Sequence, residues 1–265
     1  MDLNLTNKTA LVTGGSKGIG LAVATALAEE GVRVAVGARG TTPELKELMN
    51  DHNVEHFAVD LADPNGPARL VAAVAASYGA LDLLVNNVGA SEPATTSLHF
   101  TDEQWQRLFE VNFFGVVRTV RAAAPLLAAG GDGAVVNVAS LNAKLPAGLI
   151  APYSAAKAAL VNFGKAVSEE LAPQGVRVNS VLPGPVRTPL WTDPGGFAHL
   201  FAEQAGIDAD EVMDRMLPES MNISLGRVAE PEEIADLVVY LCSPRSSYVT
   251  GADYVIGGGM LKSTA

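Results

Sequence analysis

Thr9-Ala10-Leu11-Val12-Thr13-Gly14-Gly15-Ser16-Lys17-Gly18-Ile19-Gly20 runs from a short apolar segment through a glycine-rich turn into an amphipathic stretch. Glycines let a backbone turn tightly. They also let a pyrophosphate approach the amide N–H groups of a helix N-terminus, whose dipole favours anions. The spacing is Gly-x-x-x-Gly-x-Gly, not the commoner Gly-x-Gly-x-x-Gly. A glycine turn by itself is a weak signal, because an empty strand–helix turn has the same composition. Its place after the first strand-like run makes a dinucleotide site the reading, with Gly14, Ser16, Lys17, Gly18, Ile19 and Gly20 around the phosphates.

The same rhythm continues outward from this turn. Apolar strand-like runs occur at 9–13, 32–36, 54–59, 81–86, 134–139, 176–181 and 254–256. Helix-like stretches lie near 18–30, 43–50, 64–78, 102–129, 153–172 and 231–242. Thr101 with Gln104 forms a capping box, and Pro43, Pro64 and Pro231 suit first helical turns. The alternation predicts an α/β fold: a single doubly wound Rossmann domain over 1–265, with about seven parallel strands flanked by helices on both faces. Residues 189–226 break the rhythm, with Trp191, Phe197, Phe201, Met213, Met216, Leu217 and Met221 scattered along them. They read as a substrate-covering lid because they follow the sixth strand. A surface excursion with its own small core is the other reading.

Composition narrows the function classes. The 265 residues are 48% hydrophobic with mean hydropathy +0.22, which excludes a disordered chain. Eighteen Lys and Arg against 29 Asp and Glu give a net charge of −11, which repels phosphate backbones and argues against nucleic-acid binding. The single Cys242 precludes an intramolecular disulfide or a multi-cysteine metal cluster and fits a reducing compartment. No basic, apolar leader opens the chain, and no run approaches the roughly 18 apolar residues of a membrane span. A cytoplasmic protein without membrane attachment is expected, and the sequons at Asn4, Asn7 and Asn222 then carry no meaning.

The second strand ends Val36-Gly37-Ala38-Arg39, where an NAD site would present an acid to the ribose hydroxyls. Ala38 cannot do so. Arg39 and Lys17 together can pair with a 2′-phosphate, so the cofactor expected is NADP(H). Asp60, in Val59-Asp60-Leu61, is placed to accept from an adenine amino group or simply to close a turn. Farther on, Tyr153-Ser154-Ala155-Ala156-Lys157 puts a phenol and an ammonium on one helix face. A neighbouring ammonium favours phenolate, so Lys157 is expected to lower the Tyr153 pKa and make it a usable general acid and base. Ser140, thirteen residues earlier at a strand end, is placed to hold a substrate oxygen or to cap a helix.

These residues resemble the short-chain dehydrogenase/reductase family in its single-domain form, along about 8–260. The resemblance rests on an ordered set: Thr13-Gly14-x-x-x-Gly18-x-Gly20, Asn86-Asn87-Val88-Gly89, Asn112, Ser140, Tyr153-x-x-x-Lys157, and Pro183-Gly184 followed by Thr188. It implies that Tyr153 exchanges the proton and Ser140 orients the carbonyl or alcohol. Lys157 would bind the nicotinamide ribose and Asn112 would hold a water in a proton relay. Asn87, Val88 and Gly89 would line the adenine ribose side, with Asp60 and Leu61 nearby. Pro183, Gly184, Val186 and Thr188 would contact the nicotinamide carboxamide. A homotetramer is also implied (or a homodimer), with helices near 102–129 and 153–172 pairing across a face. Enoyl reductases that resemble the family space their tyrosine and lysine farther apart.

Some positions depart from the family's pattern. Val88 stands where Ala is common, and Gly257 where Asp is frequent and helps a tetramer contact. Arg187 puts a charge near the mouth of the cofactor site. Residues 189–226 are longer than in the 3-oxoacyl reductases. The stretch 197–236 carries ten Asp and Glu against two Arg, which argues against a highly anionic substrate or carrier unless Arg187 and Arg227 make the contact. His52 and His56 lack further ligands, so no metal site is expected. Cys242 reads as a buried hydrophobe and Trp105 as packing. The function expected is an NADPH-dependent ketoreductase, reversibly reducing a 3-oxoacyl thioester or a bulkier apolar ketone to a secondary alcohol. The alternatives are an NAD(P)-dependent alcohol dehydrogenase working oxidatively and a non-catalytic NADP(H)-sensing regulator.

Overall fold

The computed structural model describes residues 2–263. Its centre is a parallel sheet of β1 (Thr9–Thr13), β2 (Arg33–Ala38), β3 (Val54–Ala58), β4 (Leu83–Asn86), β5 (Ala134–Val138), β6 (Arg177–Pro183) and β7 (Asp253–Ile256). The spatial order is β3-β2-β1-β4-β5-β6-β7, so the strand order reverses between β1 and β4. A crevice opens above the carboxyl ends of the strands at such a reversal, and ligands of open α/β sheets bind there. The Rossmann-like sheet with helices on both faces is the predicted one.

The strands read as unbroken apolar runs because both of their faces are covered. On one face lie α1 (Gly18–Glu29), α2 (Pro43–Asp51) and α11 (Pro231–Cys242), packed over Val12, Val34, Val36 and Val85. On the other lie α3 (Gly66–Tyr78), α5 (Gly115–Ala129) and α6 (Ala151–Leu171), over Leu11, Leu84, Val135 and Leu182. Cys242 is buried on α11, where burial pushes its thiol up to about 12.

Several boundaries differ from the expected ones. β2 begins one residue later and runs on to Ala38, while β6 extends two residues further, to Pro183. Pro64 lies outside α3, and Pro67 occupies its first turn instead. The helix expected over 102–129 is three pieces: α4 (Asp102–Phe109), a π turn (Glu110–Phe114) and α5. Thr101 and Gln104 do close the capping box. The sequence suggests no span-length segment, yet Asp102–Ala129 reaches that length with mean hydropathy 1.2. Its inner side packs against α3 and α6, with Val116, Val120, Ala123 and Leu127 buried. Trp105 stacks near Phe109, with ring centroids 6.1 Å apart, as a packing residue.

Residues 189–226 form α7 (Pro189–Thr192), α8 (Phe197–Ala205), α9 (Ala209–Glu211), a π turn (Val212–Met216) and α10 (Leu217–Ser220). They enclose a core of their own around Ala198, Val212, Met213 and Leu217. The stretches that flank the segment are joined by an isolated parallel bridge, Val186 to Ala229, and Arg187 pairs with both Asp214 inside it and Glu230 beyond it.

Candidate active site

A cleft of about 800 Å³ runs across the carboxyl ends of the strands. The glycine turn forms one end, and each glycine there has a separate reason. Gly14 and Gly18 hold φ of +65° and +56°, a left-handed region that side chains disfavour. Gly20 lies in the first turn of α1 and has no positive φ. A Cβ on it would lie 2.4 Å from Asn87 Nδ2 and from Gly14 O. Gly20 therefore packs behind the turn and does not line the cleft, contrary to expectation. Asn87 does line the cleft, but its amide nitrogen donates to Thr13 O at 3.2 Å and to Gly14 O at 3.1 Å. It braces the turn. The N-cap of α1, Lys17, supplies no side-chain cap, and no acid stands in the first turn, so the positive end of the helix is left for an anion.

The next stretch of the cleft carries Ser16, Ile19, Val88, Ala38, Arg39, Asp60 and Leu61. Arg39 is exposed at the rim and makes no ion pair among the described residues. Lys17, expected at a 2′-phosphate, reaches instead across the mouth to Asp193, 2.9 Å away. Asp60 Oδ1 accepts from Ala62 N at 2.9 Å, which is the turn-closing alternative. The sequence reading missed Thr42. Its hydroxyl donates to Ser16 O at 2.9 Å and accepts from Leu45 N at 3.2 Å, so one side chain caps α2 and anchors the glycine turn. The Thr42-Pro43 pair before a helix was the available signal.

At the other end, Ser140, Tyr153 and Lys157 converge. Ser140 lies two residues past β5, where its Oγ accepts from Asn142 N at 3.1 Å and donates to Asn142 Oδ1 at 3.2 Å. Lys157 is only 2% exposed; its Nζ donates to Val138 O at 3.0 Å and lies 5.7 Å from the centre of the Tyr153 ring. Burial holds the Lys157 ammonium down at about 8. The expected lowering of the Tyr153 pKa by Lys157 does not occur. Burial raises the phenol above its usual value, and only the hydrogen bond with Ser140 works the other way. The ammonium sits over the ring and is engaged by Val138 O, so burial dominates.

Asn112 is fully buried in the π turn and does not line the cleft. Its Nδ2 donates to Ala90 O at 2.8 Å and to Leu108 O at 2.9 Å, and its Oδ1 accepts from Ala90 N at 3.2 Å. These bonds go to backbone and fix the strand exit at Gly89 and Ala90. A Cβ on Gly89 would lie 3.1 Å from Asn112 Oδ1 and 3.3 Å from Lys157 Nζ, so this glycine permits their approach. Pro183, Gly184, Val186 and Thr188 line the wall beside Gly18. Gly184 faces Gly257, whose lack of a side chain admits the close backbone contact between them. The substrate end is apolar, with Trp191, Phe197 and Phe201 stacked on the 189–226 side at ring separations of 5.4–6.4 Å.

A family profile described as enoyl-(acyl carrier protein) reductase matches residues 14–261. The chain is 37% identical over 265 residues to a Streptomyces virginiae protein provisionally named a ketoacyl reductase of the monensin polyketide synthase. That match covers 96% of this chain and 97% of the relative. L-sorbose reductase from Gluconobacter frateurii, solved with NADPH and L-sorbose, superposes with a TM-score of 0.92 at 35% identity, covering 99% of this chain and all of that one. A variant of actinorhodin polyketide ketoreductase solved with NADPH superposes at 0.88 with 34% identity, covering 97% and 98%. The chain belongs to the short-chain dehydrogenase/reductase family. Among its members, this short-chain dehydrogenase/reductase keeps Tyr153 and Lys157 one turn apart on α6.

Proposed function

We propose that the protein is an NADPH-dependent ketoreductase acting on an uncharged, bulky ketone, with Tyr153 as proton donor. The observation that carries the reading is the convergence of Ser140, Tyr153 and Lys157 at one end of a cleft whose other end is an uncapped helix N-terminus behind a glycine turn. The residues fit a phosphorylated dinucleotide: positive-φ glycines at the turn, an α1 amino end without an acid, and the exposed Arg39 beside them. Gly14, Ser16, Gly18 and Ile19 would hold the pyrophosphate, Arg39 the 2′-phosphate, and Lys157 the nicotinamide ribose. The bound cofactor supplies the hydride that reaches the carbonyl carbon.

Tyr153 delivers its phenolic proton to the carbonyl oxygen, giving a secondary alcohol. The phenolate left behind regains its proton from solvent. The phenol carries its proton at neutral pH, as a donor to the carbonyl oxygen requires. Ser140 steadies the same oxygen by hydrogen bonding, and Asn112 positions Gly89 and Ala90. Residues 189–226 act as a lid that excludes water and shapes the pocket. The charged side chains lining the cleft, Lys17, Arg39, Asp60 and Lys157, all belong to the cofactor and proton-transfer regions, which favours an uncharged substrate. Arg187 and Arg227 are neutralised by Asp214, Glu230 and Glu233, so they present no net positive patch to an anionic acyl carrier. An aromatic or cyclic ketone is favoured over a carrier-bound 3-oxoacyl thioester.

A homotetramer in a reducing compartment such as the cytoplasm completes the proposal. The exposed Phe114 beside α5, and the exposed Leu225, Tyr248 and Val255 near the β7 sheet edge, support association there. Absorbance of NADPH, with NADH in parallel, is followed against an aromatic ketone, a cyclic diketone and a 3-oxoacyl thioester. Oxidation of NADPH by the first two ahead of the thioester is expected. Tight NADPH binding with no oxidation by any of the three would overturn the reading in favour of a sensor.

A further inference from the structure

The Ser140 hydroxyl has a single proton to give and more than one acceptor for it. Its Oγ accepts from Asn142 N at 3.1 Å and donates to Asn142 Oδ1 at 3.2 Å, and Ser140 is also the hydrogen-bond partner of the Tyr153 phenol. A hydroxyl carries one donor and two lone pairs. The backbone of Asn142 fills one lone pair and its carboxamide takes the proton, so the protonated phenol meets the lone pair that remains.

Leu145 decides which end of the carboxamide faces Ser140. Asn142 Nδ2 donates to Leu145 O at 3.0 Å, and a flipped amide would set Oδ1 against that carbonyl. The turn behind it is tightly wound: Ala143 N donates to Ser140 O at 3.0 Å, and Lys144 N and Leu145 N both donate to Leu141 O at 2.9 Å. Asn142 lines the cleft, half-buried, and its side chain bonds to Ser140 and Leu145 alone among the described residues. Once Tyr153 has given up its proton the demand reverses. The phenolate is an acceptor that a Ser140 O–H stabilises, and Asn142 Oδ1 competes for that O–H.

We infer that Asn142 is a positioning residue for the proton transfer: its carboxamide oxygen holds the Ser140 hydroxyl proton while Tyr153 is protonated and yields it when Tyr153 is ionised. This deepens the ketoreductase reading and rests on it for the role of Tyr153. The phenolic proton goes to the carbonyl oxygen, and Ser140 keeps its own proton throughout, only turning it from Asn142 Oδ1 to the phenolate. Lys157 is the charged group beside the phenol, 5.7 Å from the ring centre. Charged groups on the elements packed against α6 are engaged elsewhere: Lys144 with Asp253, Arg107 with Glu92, Arg118 with Glu110, and Arg177 with the carbonyls of Leu241 and Ser243. Asp102, Glu103 and Arg121, and Lys165, Glu169 and Glu170 on α6 itself, are exposed.

The test follows oxidation of 1-tetralol with saturating NADP+ across pH, where the rise of kcat/KM reports the ionisation of the base. Asn142→Ala removes the competing acceptor and is expected to move that rise down by about 0.7 pH unit, the equivalent of one ordinary hydrogen bond. Asn142→Asp keeps an acceptor, strengthens it and adds negative charge, so the rise is expected to move up. A merely structural role, in which either change loosens the turn, would move both variants the same way. The opposite shifts are also expected without turnover, in the tyrosinate absorbance of NADP+-bound protein taken as a difference from the matching protein with Tyr153→Phe. Shifts absent from both variants, or of one sign in both, would overturn the assignment while leaving the ketoreductase intact. Opposite absorbance shifts with no oxidation of 1-tetralol by the wild type would support the hydrogen-bond assignment and count against the ketoreductase reading.

Discussion

The glycine turn and the 189–226 segment face each other across one cleft but are held by different means. The turn sits between β1 and α1, and its shape is set by backbone: Gly14 and Gly18 in left-handed conformations, Gly20 against Asn87, and Gly14 N bonded to Gly37 O at 2.7 Å. The segment opposite is a string of short helices over a small core, joined to its surroundings by Arg187 to Asp214, by Lys17 to Asp193 and by Leu225 N to Gly258 O. The two ion pairs are largely exposed, and exposed pairs contribute little. A rigid turn suits a cofactor that is always the same molecule. A loosely held wall suits the part of the pocket that distinguishes substrates, since low local stability is what lets a segment open and close.

The largest test of this division is Tyr153→Phe. Loss of a positioned general acid is expected to lower kcat about a thousandfold, with the NADPH dissociation constant measured by fluorescence titration changed less than twofold. Comparable losses in both would mean that the phenol belongs to the cofactor site as well.

Lys157→Met probes burial at the same end. The Lys157 pKa is about 8 in the folded chain against 10.5 for the free side chain, so between these values the unfolded state binds the extra proton. The contribution of Lys157 to stability therefore rises as pH passes from 8 to 10.5, and below 8 the penalty for burying its charge is present in full. The Met variant is expected to gain on wild type by up to about 3 kcal/mol at pH 7, from about 1.4 kcal/mol per pKa unit, and to lose that advantage near pH 10.5. Thermal melts of both proteins across this range decide the matter; a constant difference would show that burial does not hold the ammonium down.

A third comparison sets Gly20→Ala against Gly206→Ala. The first forces a Cβ to within 2.4 Å of Asn87 Nδ2 and Gly14 O, and overpacking of this kind costs about 1–3 kcal/mol. It is expected to weaken NADPH at least roughly tenfold by displacing the turn. Gly206 ends α8 at φ +68° with open space around it, so Ala there costs about 1 kcal/mol in backbone conformation. Urea unfolding and NADPH titration of the pair should separate the two ends; a loss of cofactor affinity in Gly206→Ala would show that they are coupled. Arg39→Ala is expected to cost about tenfold in NADPH affinity for one charge-assisted contact, with NADH unchanged. Equal losses for the two cofactors would remove Arg39 from the 2′-phosphate.

Much of the fold was legible because parallel strands covered on both faces must be apolar throughout, and each run ends where turn residues begin. The errors fell where local preference and tertiary demand part. The stretch 102–129 has continuous helical periodicity, and nothing local in it announces the π turn that buries Asn112. Tyr153 and Lys157 are correctly one turn apart. Spacing says nothing about burial, however, and burial reversed the expected pKa shift. Lys17 was assigned by its position in the turn, but its ion-pair partner, Asp193, lies 176 residues away.

The sequence by itself determined the alternating architecture, the glycine turn after β1 and the Tyr153–Lys157 pair, because strand period, left-handed glycine and helical spacing are all local properties. Only the tertiary structure decided which groups are buried, which are already bonded and which remain unpaired. It removed Gly20 and Asn112 from the cleft surface and tied Arg187 to Asp214 and Glu230. Desolvation and hydrogen-bond competition depend on atoms brought together from distant parts of the chain, and no window of sequence contains them.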